Sequence, residues 1–166
     1  MSSARVKRKP AARARLSRGT RIACAVSTYH EDVTGAMLAS ALETLAEAGI
    51  ERKSIAVVSA PGAFELPLVA QRLCERPDVA AVLCFGLVLK GETEHDLHVA
   101  RACAQGLMRV ALETKTPVLF GVLTCATLAQ AQRRARSERD GGLDKGREVA
   151  LATLEVLAAL ASADDA

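Results

Sequence analysis

Aromatic residues are almost absent. The 166-residue chain has no tryptophan, one tyrosine and three phenylalanines. Half of its residues are apolar, so its core must be built from alanine, leucine and valine. The few rings stand out for that reason, and Tyr29, Phe64 and Phe120 fall near predicted strand ends or loops. Also missing are a membrane-length apolar run and a secretory leader, so a non-membrane, cytoplasmic protein is expected. No CxxC spacing occurs. The cysteines are odd in number (Cys24, Cys74, Cys84, Cys103 and Cys125) and lie in apolar runs. This argues against a disulfide framework and for reduced core thiols, with a catalytic thiol as the alternative. Histidine is scarce too. His95 and His98 have a spacing that would suit a metal pair, but only one other histidine exists and no HExxH motif, so no metal site is expected.

Charge is unevenly spread. The formal net charge is +3, yet residues 1–21 hold eight basic side chains (Arg5, Lys7, Arg8, Lys9, Arg13, Arg15, Arg18 and Arg21) and no acid. The remainder is mildly acidic. The arm has little apolar content and reads as a disordered, solvated tail. Phosphate contacts with nucleic acid are an alternative use, and an organellar transit peptide is another, which the shortness of the segment disfavours. A single domain over 22–161 follows, long enough for a real core, and an acidic tail over 162–166 is expected to fray.

Along the chain, short apolar runs alternate with helical periodicity. Strands are expected at Ile22–Val26, Ile55–Val58, Val79–Phe85 and Pro117–Val122. Helices are expected at Val33–Ala48, Phe64–Glu75, Thr93–Glu113, Ala126–Arg139 and Asp144–Leu160. Gly86 reads as the stop of the third strand, and Asp140-Gly141-Gly142 as a break before the last helix. Continuously apolar strands suit a parallel sheet covered on both faces. Right-handed crossovers then predict an α/β fold, a flavodoxin-like three-layer αβα sandwich with a four-stranded parallel sheet in the order 2-1-3-4. The loops after the strands should share one edge.

The loop before the third helix is where chemistry is expected. A glycine loop entering a helix offers free N–H groups to a phosphate, here at Glu92, Thr93 and their neighbours in the Gly91–His95 loop, and His95 supplies a titratable imidazole beside them. The structural alternative is a capped helix in which Thr93 and Asp96 form a capping box. Glu65, after the Pro61-Gly62 turn, is either a first-turn acid favoured by the helix dipole or a carboxylate for ligand hydroxyls. Tyr29 either stacks on a flat ring or packs. Arg133, Arg134, Arg136 and Arg139 form a solvated face, or one of them pairs with a phosphate of a neighbouring subunit.

Taken together, Tyr29, PGAFELP (61–67), GLVLKGETEH (86–95), PVLFGVLT (117–124), RRAR (133–136) and DKG (144–146) resemble the lumazine synthase family over about residues 22–160. PGAFE with KGETxH is a specific combination. The resemblance implies condensation of 5-amino-6-(D-ribitylamino)uracil with 3,4-dihydroxy-2-butanone 4-phosphate to 6,7-dimethyl-8-ribityllumazine, phosphate and water, with no cofactor or metal. It implies that Tyr29 stacks on the pyrimidine, that Ala63, Phe64 and Glu65 run along the ring and ribityl chain, and that Leu87, Val88 and Leu89 offer backbone groups to the ring edge. Gly91, Glu92 and Thr93 match the phosphate loop and His95 the proton-transfer histidine. Phe120, Arg134 and Lys145 match residues lent by the adjacent subunit.

Departures from the family pattern are few. The stacking ring is usually Phe or Trp, Thr28 stands where a longer or polar residue is common, and His30 replaces a frequent Asn. The acid many members carry two residues after the histidine falls here at Leu97, with Asp96 one place earlier. The loop between Arg134 and Lys145 is about three residues longer than in shell-forming members, which implies a homopentamer rather than a larger shell. A lumazine- or flavin-binding relative without catalysis is the alternative function, and a scaffold whose arm holds nucleic acid is a third.

Overall fold

The apolar runs become the strands of one sheet. The computed structural model describes residues 20–165. Their elements are β1 (Arg21–Ser27), α1 (Glu31–Glu47), β2 (Ile55–Ala60), α2 (Leu66–Cys74), β3 (Val79–Leu89), α3 (His95–Thr114), β4 (Val118–Cys125), α4 (Leu128–Ala135) and α5 (Lys145–Asp164), with 3-10 turns at Arg52–Ser54 and Glu138–Asp140. All three strand pairings are parallel and the order is β2-β1-β3-β4, as the crossover argument requires. Apart from Thr20 and Arg21, the basic arm lies outside the described residues.

The sheet divides the core in two. Ile22, Cys24 and Val26 of β1 face α1, α4 and α5, packing with Met37, Leu45, Ala131 and Leu154. Ala23 and Ala25 face the other way, toward Leu66 and Ala70 of α2 and Leu107 of α3. The period-2 alternation of a strand, buried on both sides, explains why no polar residue interrupts it. Five free cysteines are all buried, three of them (Cys24, Cys84 and Cys125) on strands.

Several boundaries differ from the sequence reading. β3 does not stop at Gly86 but runs to Leu89, paired with β4 as far as Cys125. Gly86 is there for room: a β-carbon on it would stand 2.9 Å from Leu66 Cδ1 and 3.4 Å from Ala63 Cβ. α3 opens at His95 rather than Thr93, so His95 is its first residue. α4 begins after Thr127, whose side chain accepts a hydrogen bond from the Gln130 amide, and ends at Ala135. Arg136 is already extended, and Ser137 accepts from the Asp140 amide, a local bond that competes with helix continuation. α5 continues past Leu160 to Asp164, so the start of the acidic tail is helical.

Candidate active site

Parallel strands carry the loops that follow them to one edge, and at β1 and β3 the chain leaves the sheet in opposite directions. A crevice at such a switch point is the usual ligand site of an open α/β sheet. Here strand lengths add a second feature. β3 pairs with β1 only through Phe85, opposite Val26, but with β4 through Leu89, opposite Cys125. Gly86–Leu89 therefore outruns β1. Leu87 and Val88 are buried and Leu89 is half-buried, so what this stretch turns toward the β1 loop is main chain.

The first two loops are tied together. The Thr28 amide donates to Ala60 O at 2.9 Å and the Tyr29 amide to Pro61 O at 3.2 Å. Gly62 N–H donates to Glu65 Oε2 at 3.0 Å, folding the carboxylate back over its turn. A β-carbon on Gly62 would lie 3.1 Å from that oxygen and 3.3 Å from Tyr29 Cδ2, so the glycine lets ring and carboxylate approach. Tyr29 and Phe64 are 70% and 59% exposed, large apolar surfaces with little of this protomer over them. Ala63 is buried beneath them. Ser27, the last residue of β1, has a buried hydroxyl with no hydrogen-bond partner among the described residues, a feature that no sequence signal announces.

The third loop presents donors. Gly91 N–H is directed to Asp96 Oδ1 and His95 N–H to Thr93 Oγ1, both at 3.4 Å. Among the described residues, the amides of Glu92, Thr93 and Glu94 have no acceptor. These three N–H groups precede the positive end of a 20-residue helix, an environment that favours an anion, and the exposed His95 follows them. The capping box, the structural alternative, does not form. Glu94 holds the cap position without a side-chain bond, and Asp96 turns back to Gly91.

The remaining predicted residues stand apart. Phe120 is exposed midway along β4, opposite Cys84. Arg134 is exposed in the last turn of α4, near enough to Cys125 that its charge works against the burial that raises that thiol's pKa. Lys145 opens α5 and pairs with Glu148 at 2.8 Å. No hydrogen bond or ion pair among the described residues ties these three to Tyr29, Glu65 or His95. Nor do the described residues contain a group of three His, Cys, Asp or Glu side chains placed to hold a metal ion.

The class so defined is an α/β protein whose exposed rings, glutamate turn and unengaged amides lie in the loops that follow its parallel strands. Comparison with known proteins makes the assignment narrower. The family model of 6,7-dimethyl-8-ribityllumazine synthase matches residues 19–161, and the chain belongs to that family. The 6,7-dimethyl-8-ribityllumazine synthase of Thermus thermophilus is 43% identical over 141 residues, 85% of this chain and 88% of the relative. That of Stenotrophomonas maltophilia is 43% identical over 86% of this chain and 90% of its own length. 6,7-Dimethyl-8-ribityllumazine synthase 1 of Caulobacter vibrioides is 43% identical over 84% and 90%.

Proposed function

We propose that the switch-point crevice is the site at which this chain binds both substrates of lumazine synthesis. As a member of its family the chain is a transferase of riboflavin biosynthesis, joining 5-amino-6-(D-ribitylamino)uracil to 3,4-dihydroxy-2-butanone 4-phosphate. The observation that carries the residue-level reading is the row of unengaged amides at Glu92, Thr93 and Glu94 beside His95. In this reading Gly91, Glu92 and Thr93 form the phosphate loop. Tyr29 stacks on the pyrimidine, Ala63, Phe64 and Glu65 follow the ribityl chain, and the main chain of Leu87, Val88 and Leu89 meets the ring edge.

The chemistry suits such an arrangement. The aryl amine attacks the ketone, water leaves to give an imine, phosphate is eliminated, and the ring closes with loss of a second water. Each step moves a proton, and in this reading His95 carries it. Holding two substrates in one crevice removes the entropic cost of bringing them together, which in oriented systems is worth up to about 7–11 kcal/mol. No residue here requires a cofactor.

Phe120, Arg134 and Lys145 complete the site of a neighbouring protomer, with Arg134 on its phosphate. Their separation from the other site residues supports this, and so does the exposed apolar stripe of Met108 and Leu112 on α3, which a second protomer would cover. The assembly is a homopentamer in the cytoplasm that binds neither membrane nor nucleic acid. No described helix is long and apolar enough to cross a membrane.

A turnover assay with both substrates, followed by lumazine absorbance beside a mass measurement, tests the reading. Product formation by a particle of five chains is expected. Tight lumazine binding without turnover would favour the non-catalytic alternative, and a megadalton particle would refute the pentamer.

A further inference from the structure

The described residues contain two buried acids, Asp96 and Asp144. Asp144 is accounted for: it caps α5, accepting from the Arg147 amide at 2.9 Å and from the Ser40 hydroxyl. Asp96 is different. It is the second residue of α3 and only 8% exposed, although the acids next to it, Glu92 and Glu94, lie at the surface. A carboxylate serving the helix dipole alone has no reason to leave water, and burial of a charge is costly unless a partner receives it. The partner is the first amide of the anion loop, Gly91 N–H, at 3.4 Å from Asp96 Oδ1. No ion pair to Asp96 occurs among the described residues.

That bond closes a ring. It starts inside the helix, passes back five residues, and encloses residues 92–95, of which Glu92, Thr93 and Glu94 have amides without an acceptor among the described residues. We infer that Asp96 is the positioning residue of the anion loop: its carboxylate takes the Gly91 amide and so fixes the next three to converge on a phosphate oxygen. This rests on the phosphate-loop reading above. Asp96 touches no reacting atom in this role. It acts through Gly91, and its own negative charge stands behind the cradle, opposing the anion it organises. The two effects have opposite signs, which makes them separable.

Asp96→Asn keeps an acceptor oxygen for Gly91 N–H and removes the charge. Asp96→Ala removes both. Inorganic phosphate is the probe, titrated calorimetrically into the assembled protein, with the KM of each substrate measured in parallel. Asp96→Ala is expected to weaken phosphate about tenfold or more, the usual consequence of losing a hydrogen bond to a charged group. It should raise KM for the butanone phosphate while leaving KM for the pyrimidine nearly unmoved. Asp96→Asn is expected to bind phosphate as well as the native chain or more tightly. Hydrogen exchange of the Gly91 amide should be slow in the native chain and in Asp96→Asn, and fast in Asp96→Ala. Equal phosphate affinity in all three proteins overturns the role of Asp96 and leaves the phosphate loop standing. Weaker phosphate binding by Asp96→Asn than by Asp96→Ala also overturns it. Failure of the native protein to bind phosphate refutes the phosphate-loop reading itself.

Discussion

Gly62 and Glu65 share a hydrogen bond of 3.0 Å, and among the described residues the other oxygen of the carboxylate is unengaged. A carboxylate held by its own turn is pre-set to accept from a hydroxyl, and little side-chain freedom is lost when a ligand arrives. Glu65→Ala is expected to raise KM for the ribityl pyrimidine about tenfold or more, because it removes a charged acceptor. Glu65→Gln should lose less. KM for the butanone phosphate should change little with either. Equal losses for both substrates would mean that the turn itself has collapsed.

His95 and Arg134 belong to different subunits' contributions to one site in the proposed assembly. His95→Ala should slow turnover by about a hundredfold, the middle of the range for acid–base groups. Arg134→Ala should weaken the phosphorylated substrate far more than the pyrimidine, since a guanidinium pairs with phosphate. Each variant alone should be nearly inactive under dilute substrate. Co-expressed, the two should regain activity in mixed rings, where an intact His95 meets an intact Arg134. Absence of recovery in verified mixed rings would place Arg134 in its own protomer's site.

Gly121 lies against the ring of Phe85. A β-carbon there would be 2.6 Å from both Phe85 Cδ1 and Cys84 O. Phe85 is wholly buried and cannot retreat. Gly121→Ala is therefore expected to cost about 1–3 kcal/mol or more, the range for overpacking a filled core. Denaturant unfolding measures it. A cost below half a kcal/mol would show that the strand shifts at no expense.

The buried thiols predict how stability responds to alkali. Burial pushes Cys24 up to about 12, against a small opposing pull from Arg52, and Cys103 up to about 11, from an ordinary value of 9.0. Burial also holds Cys84 well above its ordinary range. The folded chain keeps these protons when the unfolded chain has lost them. Their contribution is whole below pH 9 and is lost as pH rises toward 11 and 12, by roughly 1 kcal/mol per pH unit for each thiol. Unfolding measured at pH 8 and 10.5 should show the fall, and Cys24→Ala should show a shallower one. At pH 8 a thiol reagent should label the native protein slowly and the unfolded protein at once.

The sheet order was legible because two physical regularities, continuous apolar strands and right-handed crossovers, leave few alternatives. The ends of elements were not. Gly86 carries the same letter whether it stops a strand or makes room for Leu66, and only the packed neighbour separates the two. The first residues of α3 misled for a related reason. Thr93 and Asp96 have capping-box spacing, but Asp96 bonds Gly91 instead, a choice set by how the loop folds back. At His30 sequence and structure help each other. The residue sits at φ 57, a conformation in which Asn and His are both enriched, and so the exchange for the family's Asn is physically mild. Tyr29, Glu65 and His95 were legible from residue type and place: a rare ring in a loop, an acid after a Pro-Gly turn, and an imidazole at a helix start. That the Tyr29 ring and the Glu65 carboxylate both close on Gly62 is set by how the two loops pack, which no single letter announces.

The unequal reach of β1 and β3 has an evolutionary corollary. Where one strand outlasts its neighbour, a heterocycle can be read by peptide groups, and these are the same whatever side chains they carry. In the proposed reading, residues 87–89 then answer only to the two core layers that Leu87 and Val88 enter on opposite faces of the sheet. Exchange among aliphatic side chains there should drift freely between species while the preference for the pyrimidine stays fixed.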